Sequence, residues 1–251
     1  MPHVSKRIVD GLYGYIWQGN GNNCNTYVFA DVLPGKRPHA IVDPGFVRNE
    51  FREACFDSLV DSMNRDGLAV EDIGLVINTH THPDHCQATE AIVERTFGPE
   101  DGSPVRQAIV ALSREEEDYY LAAGENMFGM FGMEVPELGP LFYLAEGDLV
   151  LGGGNRVVQL QVFLSPGHSP GSVCLYWPEN RVLITGDVLF FGSVGRTDFP
   201  GGSAATLKKS IERLSELDVE YVLPGHSTEF GSVVEGREFV RRNFAAVRYL
   251  F

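Results

Sequence analysis

The run Thr79-His80-Thr81-His82-Pro83-Asp84-His85 constrains this chain more than any other stretch, because its last six residues hold three imidazoles and one carboxylate. The apolar residues Leu75-Val76-Ile77 lead into it and read as a strand, and Cys86 to Thr96 lead out of it and read as a helix. Connections carried on such rigid elements commonly hold chemistry. In an extended segment residues two apart point the same way, so His80 and His82 face one ion. Pro83 disfavours helical geometry at His82 and keeps that segment extended. Asp84 and His85 begin the turn into the helix and point elsewhere, toward a second ion. Taken alone, Asp84 also reads as a helix cap. Imidazole and carboxylate donors suit divalent metals, zinc first, with iron and manganese as alternatives.

The remaining ligands come from segments of the same kind. Val158, Leu160, Val162 and Leu164 alternate with polar residues, a half-buried strand ending at Ser165-Pro-Gly-His168-Ser-Pro-Gly171. Strands over Val173–Trp177 and Arg181–Thr185 follow, the second ending at Gly186-Asp187. Tyr221-Val222-Leu223 ends at Pro224-Gly225-His226. Side chains at the ends of neighbouring strands converge along a sheet edge. His168 then completes the first set with His80 and His82, His226 the second with Asp84 and His85, and Asp187 has two oxygens to bridge both ions. An earlier strand, His39–Val42, ends at Asp43-Pro44-Gly45. Asp43 reads either as the hydrogen-bond partner of a ligand histidine or as an Asp opening a turn.

Other segments are less specific. Gly11–Trp17 and Asn25–Ala30 read as strands. Phe51, Cys55, Leu59 and Met63 recur at four-residue steps, which predicts a helix over Arg48–Arg65. Ser113-Arg-Glu-Glu116 fits a capping box, so a helix is expected from there to Ala123, stopping at Gly124. Residues 124–145 then read as a Met/Phe-rich insertion: a lid over a site, a dimer contact, or a loop packed on its own core. Helices carrying Leu207, Ile211 and Leu214, and Phe239, Val240, Phe244 and Val247, are expected near the end of the chain.

The 251 residues suffice for one large domain, and a single domain over 1–251 is expected. A net charge of −14 argues against a nucleic-acid backbone or an anionic membrane as partner. A small molecule, with a homodimer as an option, is the expected partner. No apolar run is long enough to span a bilayer and the first residues lack an apolar signal core, so the cytoplasm is the default location. Cys24, Cys55, Cys86 and Cys174 show no CxxC spacing. Cys86 reads as a buried helix residue or a thiol near the metals.

The HxHxDH run, the two Pro-Gly-His turns, Thr185-Gly-Asp187, and the stretch Gly192-Ser-Val-Gly-Arg196-Thr-Asp-Phe-Pro200 together resemble the metallo-β-lactamase-fold hydrolases, and within them the glyoxalase II-like group. The resemblance covers nearly the whole chain. It implies an α/β fold, an αββα sandwich of two sheets with helices outside. It implies a binuclear metallohydrolase with His80, His82 and His168 on one ion, Asp84, His85 and His226 on the other, and Asp187 between. The substrate expected is a small thioester or ester, with Asp84 as the residue for proton transfer. Arg196 corresponds to the basic residue that meets substrate in relatives, or pairs with Asp198. The chain departs from the glutathione-specific enzymes in having only 25 residues after His226 and no cysteine beside Arg196. An iron-dependent persulfide dioxygenase, a lactonase and an inactive metal-binding module are the alternatives.

Overall fold

The computed structural model describes residues 2–96 and 107–251. Two mixed sheets carry the described strands. In the first, β1 (His3–Val9), β2 (Leu12–Trp17), β3 (Thr26–Phe29) and β4 (His39–Val42) pair antiparallel in sequence order. β5 (Ile73–Ile77) then joins parallel to β4, and β6 (Ile109–Ser113) parallel to β5. β7 (Phe142–Leu144) completes that sheet. In the second, the order is β13 (Val234–Glu235), β12 (Tyr221–Pro224), β11 (Val182–Gly186), β10 (Val173–Trp177), β9 (Val158–Leu164) and β8 (Gly147–Leu151). β11 and β12 are its parallel pair. Parallel neighbours need a crossover, and helices supply it: α1 (Cys55–Arg65) between β4 and β5, and α5 (Ala204–Leu214) between β11 and β12.

The chain divides into two compact units. One comprises Met1–Leu112, Glu125–Tyr143 and Leu151–Val158; the other comprises Ser113–Gly124, Leu144–Val150 and Gln159–Phe251. The first has a core of Tyr15, Val28, Ile41, Leu59, Met63, Ile73, Val76 and Ile92. The core of the second holds Leu183, Leu207, Ile211, Leu214, Val222, Phe244 and Val247.

Most expected elements are present, and the differences have local causes. β1 was not anticipated: residues 4–7 are all exposed and two of them, Lys6 and Arg7, are charged, as on an edge strand, which hides its pattern. The first helix starts at Cys55 rather than Arg48. Asn49 Oδ1 accepts from the backbone N–H of Phe51 and Glu53 at 3.1 and 3.0 Å, and Arg52 has φ +59°, so the chain turns there before it coils. The helix after β5 is two pieces, α2 (Pro83–Cys86) and α3 (Ala88–Arg95), and the cap of α2 is His82, not Asp84. Pro83 takes the first helical position, where it has no N–H to waste.

α4 runs Arg114–Met130, through the Gly124 expected to stop it. It stops at Gly132, whose φ is +66°. There Met133 N–H donates to Phe128 O and Gly132 N–H to Gly129 O, at 3.1 and 3.0 Å. That pair of bonds is a Schellman closure, which needs a left-handed residue. In α6 (Arg237–Val247), Phe239 faces solvent, and Asn243 takes the inward position beside Val240, Phe244 and Val247. Its amide accepts from Gly192 N–H and donates to Phe190 O. None of the described helices is long and apolar enough to cross a membrane.

Candidate metal centre

In the first unit the ligand candidates leave the carboxyl ends of β4 and β5. Asp43 lies just past β4, with φ +52° and 2% exposure. Its left-handed backbone is held by Thr26, whose hydroxyl donates to Asp43 O at 2.7 Å. Its carboxylate faces the histidine run. Oδ1 accepts from Thr79 N–H at 2.7 Å, and Oδ2 accepts from Thr79 Oγ1 at 2.6 Å and from His85 Nδ1 at 3.0 Å. The bond to His85 fixes its tautomer and turns Nε2 outward as the donor to a cation. Asp43, His80 and His85 each place a donor atom within 4.8 Å of the others. Asp43 is already engaged by three donors, so it orients rather than ligates.

His80, His82 and His85 are all buried, with the His80 ring 4.7 Å from that of His82 and 4.0 Å from that of His85. Protonated rings this close would repel, whereas a shared cation satisfies the lone pairs of imidazoles gathered in this way. The donor set therefore fits divalent metals of the zinc, iron and manganese kind. Asp84 is half-buried on α2, and Asn22 Nδ2 donates to its Oδ2 at 2.7 Å. Cys86, fully buried, donates its thiol hydrogen to Thr81 O, which makes it a packed residue of this turn.

In the second unit the candidates again follow strand ends: Asp187 after β11, His226 after β12, and His168 in the loop between β9 and β10. Asp187 Oδ2 lies 3.5 Å from His168 Nε2 and 3.4 Å from His226 Nε2. His168 Nδ1 donates to Arg196 O at 2.7 Å, which leaves Nε2 as the ligating nitrogen. The loop bringing that carbonyl in passes so close that a Cβ on Gly195 would lie 1.8 Å from Asp187 O. Only glycine fits there, which accounts for the Ser-Val-Gly-Arg sequence.

Glu116, fully buried on α4, anchors the other side of the His168 loop. Its Oε2 accepts from Ser169 Oγ at 2.7 Å and from Gly171 N–H at 2.9 Å. Ser113 Oγ accepts from Glu116 N–H as half of the expected capping box, but the carboxylate that should complete the box is spent on the loop. Glu116, Thr79 and Asn22 are thus supporting residues that the sequence reading passed over. Arg196 forms a two-pronged ion pair with Asp198, at 2.7 and 2.6 Å, and its guanidinium lies 4.1 Å from the Phe199 ring. The guanidinium holds the exposed Asp198 carboxyl down at about 2.

A family model described as the metallo-beta-lactamase superfamily matches residues 19–226. The chain belongs to the metallo-β-lactamase superfamily. Its two mixed sheets with helices are the α/β sandwich fold class of that superfamily. Most metallo-β-lactamase superfamily members are metallo-hydrolases, and the His/Asp clusters here are of the kind that hold divalent metals. Among relatives, acyl-coenzyme A thioesterase MBLAC2 of Gallus gallus is 43% identical over 229 residues, 85% of this chain and 76% of that protein. The mitochondrial persulfide dioxygenase ETHE1 of Mus musculus is 28% identical over 183 residues, 70% of this chain and 57% of that protein. Among solved structures, TTHA1623 in a di-iron-bound form matches with a TM-score of 0.63 and 30% identity, covering 84% of this chain and 90% of that one.

Proposed function

We propose that this member of the superfamily is a binuclear hydrolase of thioesters or esters, glyoxalase II-like in its chemistry and acting on a small molecule in the cytoplasm. The observation that carries the reading is a full ligand complement at strand ends, with two of its imidazoles oriented by partners: Asp43 under His85 and Arg196 O under His168. In this proposal His80, His82 and His168 hold one ion, Asp84, His85 and His226 the other, and Asp187 lies between. Bound there, two divalent cations, zinc first, supply a nucleophile from water near neutral pH and polarise the substrate carbonyl.

The chain's own groups do the rest. Asp84, steadied by Asn22, is assigned to proton transfer; a departing thiolate asks little of it. Arg196 is assigned to an anionic part of the substrate. It would exchange Asp198 for that group, and since both side chains are more than half exposed the exchange costs little.

A second reading is supported by the relative ETHE1, a persulfide dioxygenase, and would need one iron instead of two hydrolytic ions. One sample decides between them. Elemental analysis of the purified protein is run beside a thioester assay and oxygen uptake with glutathione persulfide. About two ions per chain with thioester turnover is the expected result. About one iron per chain, oxygen uptake and no hydrolysis would replace the proposal with the dioxygenase.

A further inference from the structure

Residues Asn20–Asn22, in the loop between β2 and β3, are held by two carboxylates from the segment after β4. The two oxygens of Glu53 accept from Asn20 N–H at 3.2 and 3.1 Å, and one of them accepts from Gly21 N–H at 2.9 Å. Glu50 Oε1 accepts from Asn22 N–H at 2.8 Å. Three successive amides are thus anchored on one distant segment. Glu53 is itself fixed: Asn49 Nδ2 donates to its Oε2 at 2.8 Å, and Asn49 Oδ1 accepts from Glu53 N–H at 3.0 Å. The approach is close, since a Cβ on Gly21 would lie 2.4 Å from Asn49 Nδ2. Asn49, then the amides of Gly21 and Asn20, hold the Glu53 carboxyl below its usual value, so a charged acceptor faces them at neutral pH.

This grip is applied to a segment that offers the core nothing. Residues 18–22 read Gln-Gly-Asn-Gly-Asn, and Gln18, Asn20 and Asn22 are exposed. What the grip does achieve lies at Asn22, whose side-chain amide donates to Asp84 Oδ2 at 2.7 Å. Farther along the same loop, Cys24 N–H donates to Asp84 O at 3.3 Å. Asp84 stands on a helix of only four residues, α2, and these bonds tether it. An amide on a loose loop samples many positions. One whose backbone is anchored on two carboxylates has lost that freedom before it meets Asp84.

From this chain of bonds we infer that Glu53 and Glu50 are positioning residues for the second metal ion: they fix the 20–22 loop so that Asn22 presets the Asp84 carboxylate. The inference rests on the two-ion reading above. Asn22 serves Asp84 as Asp43 serves His85, each a hydrogen-bonding partner one step beyond a ligand. Such partners typically set metal affinity by about 10–100-fold. The effect of Glu53 passes through Asn22 and so is no larger than that of Asn22 itself. The bonds end at Asp84, so the second ion is the one affected.

The test titrates zinc into the metal-free full chain by calorimetry. The unmodified protein is expected to show two binding events, and Asp84→Asn identifies the second by weakening it. Asn22→Ala should weaken that same event about 10–100-fold and Glu53→Ala about tenfold, with the first event unchanged. Glu53→Gln should cost less, because its amide oxygen still accepts. Since Glu53 acts through Asn22, a chain carrying both Asn22→Ala and Glu53→Ala should bind the second ion no more weakly than Asn22→Ala alone. Thermal melting of the metal-free variants checks the fold, and Glu50→Ala, at an exposed residue, carries the same comparison if Glu53→Ala melts early. A second event unmoved by these variants, or losses that add when the two are combined, overturns the inference while leaving the two-ion site standing. A single event in the unmodified protein, or two that Asp84→Asn leaves alone, overturns both.

Discussion

At the scale of single residues, this site depends on polar partners distant in sequence. Glu116 reaches the His168 loop across 53 residues and Asn22 reaches Asp84 across 62. Neither link has a sequence signature: Glu116 is spaced like a capping-box residue, and Asn22 sits in a Gly/Asn-rich loop that reads only as a turn. The ligand residues were legible for the opposite reason, since their chemistry is crowded into short motifs at strand ends. Arg196 falls between the two cases. Its motif points to substrate, while its geometry pairs it with Asp198. For Glu116→Ala we expect a loss of about 2–4 kcal/mol in urea unfolding, because Gly171 N–H is left buried without its acceptor and Ser169 loses one. Glu116→Gln keeps an acceptor and should cost about half as much. A loss below about 0.5 kcal/mol in the Ala variant would show that the loop stands without this anchor.

Among elements, the strands that carry ligands were readable because apolar runs end abruptly in Gly, Pro or Asp. The helix boundaries were less so. Gly124 and Gly132 are alike in sequence, and only the second takes a left-handed backbone. Which glycine ends α4 is decided by what Met133 packs against, the Trp17–Phe46–Cys55 cluster. The two-residue β13 and the edge strand β1 escaped notice because their buried residues are too few to alternate: Val234 in β13, and His3 and Ile8, five apart, in β1. Nothing lies within 4 Å of a Cβ built on Gly132, so Gly132→Ala isolates the backbone term. It should cost about 1–2 kcal/mol, measured by thermal melting. An unchanged melting temperature would mean the helix end is not set by that residue.

The whole molecule registers a residue remote from the chemistry in its response to acid. His3 is 1% exposed, stacked edge-on against Trp17 and in hydrogen-bond distance of Ser58 and Asn23. Burial pushes its imidazole from 6.5 down to about 3. Between those values the unfolded chain holds a proton that the folded chain lacks. Stability therefore falls as the pH drops below 6.5, by up to about 1.4 kcal/mol per pH unit from this group. Above 6.5 both states are neutral and the contribution is flat. We expect His3→Gln to remove one proton's worth of that slope in urea midpoints taken between about pH 6.5 and pH 4. Parallel slopes for the two proteins would mean that His3 is charged when folded.

The paired parallel strands have a further consequence, for how such a protein diversifies. β4 with β5, and β11 with β12, are held in register by their own backbone bonds. The connections that leave the carboxyl ends of β4 and β11 are tied to the ligands, since Gly45 N–H donates to His85 O and Arg196 O accepts from His168 Nδ1. Segments 44–54 and 188–203 can therefore change in length or character only where those bonds are kept. A graft from a relative that preserves Gly45, Gly195 and Arg196 should transfer preference for a substrate, while the groups at the strand ends stay in place.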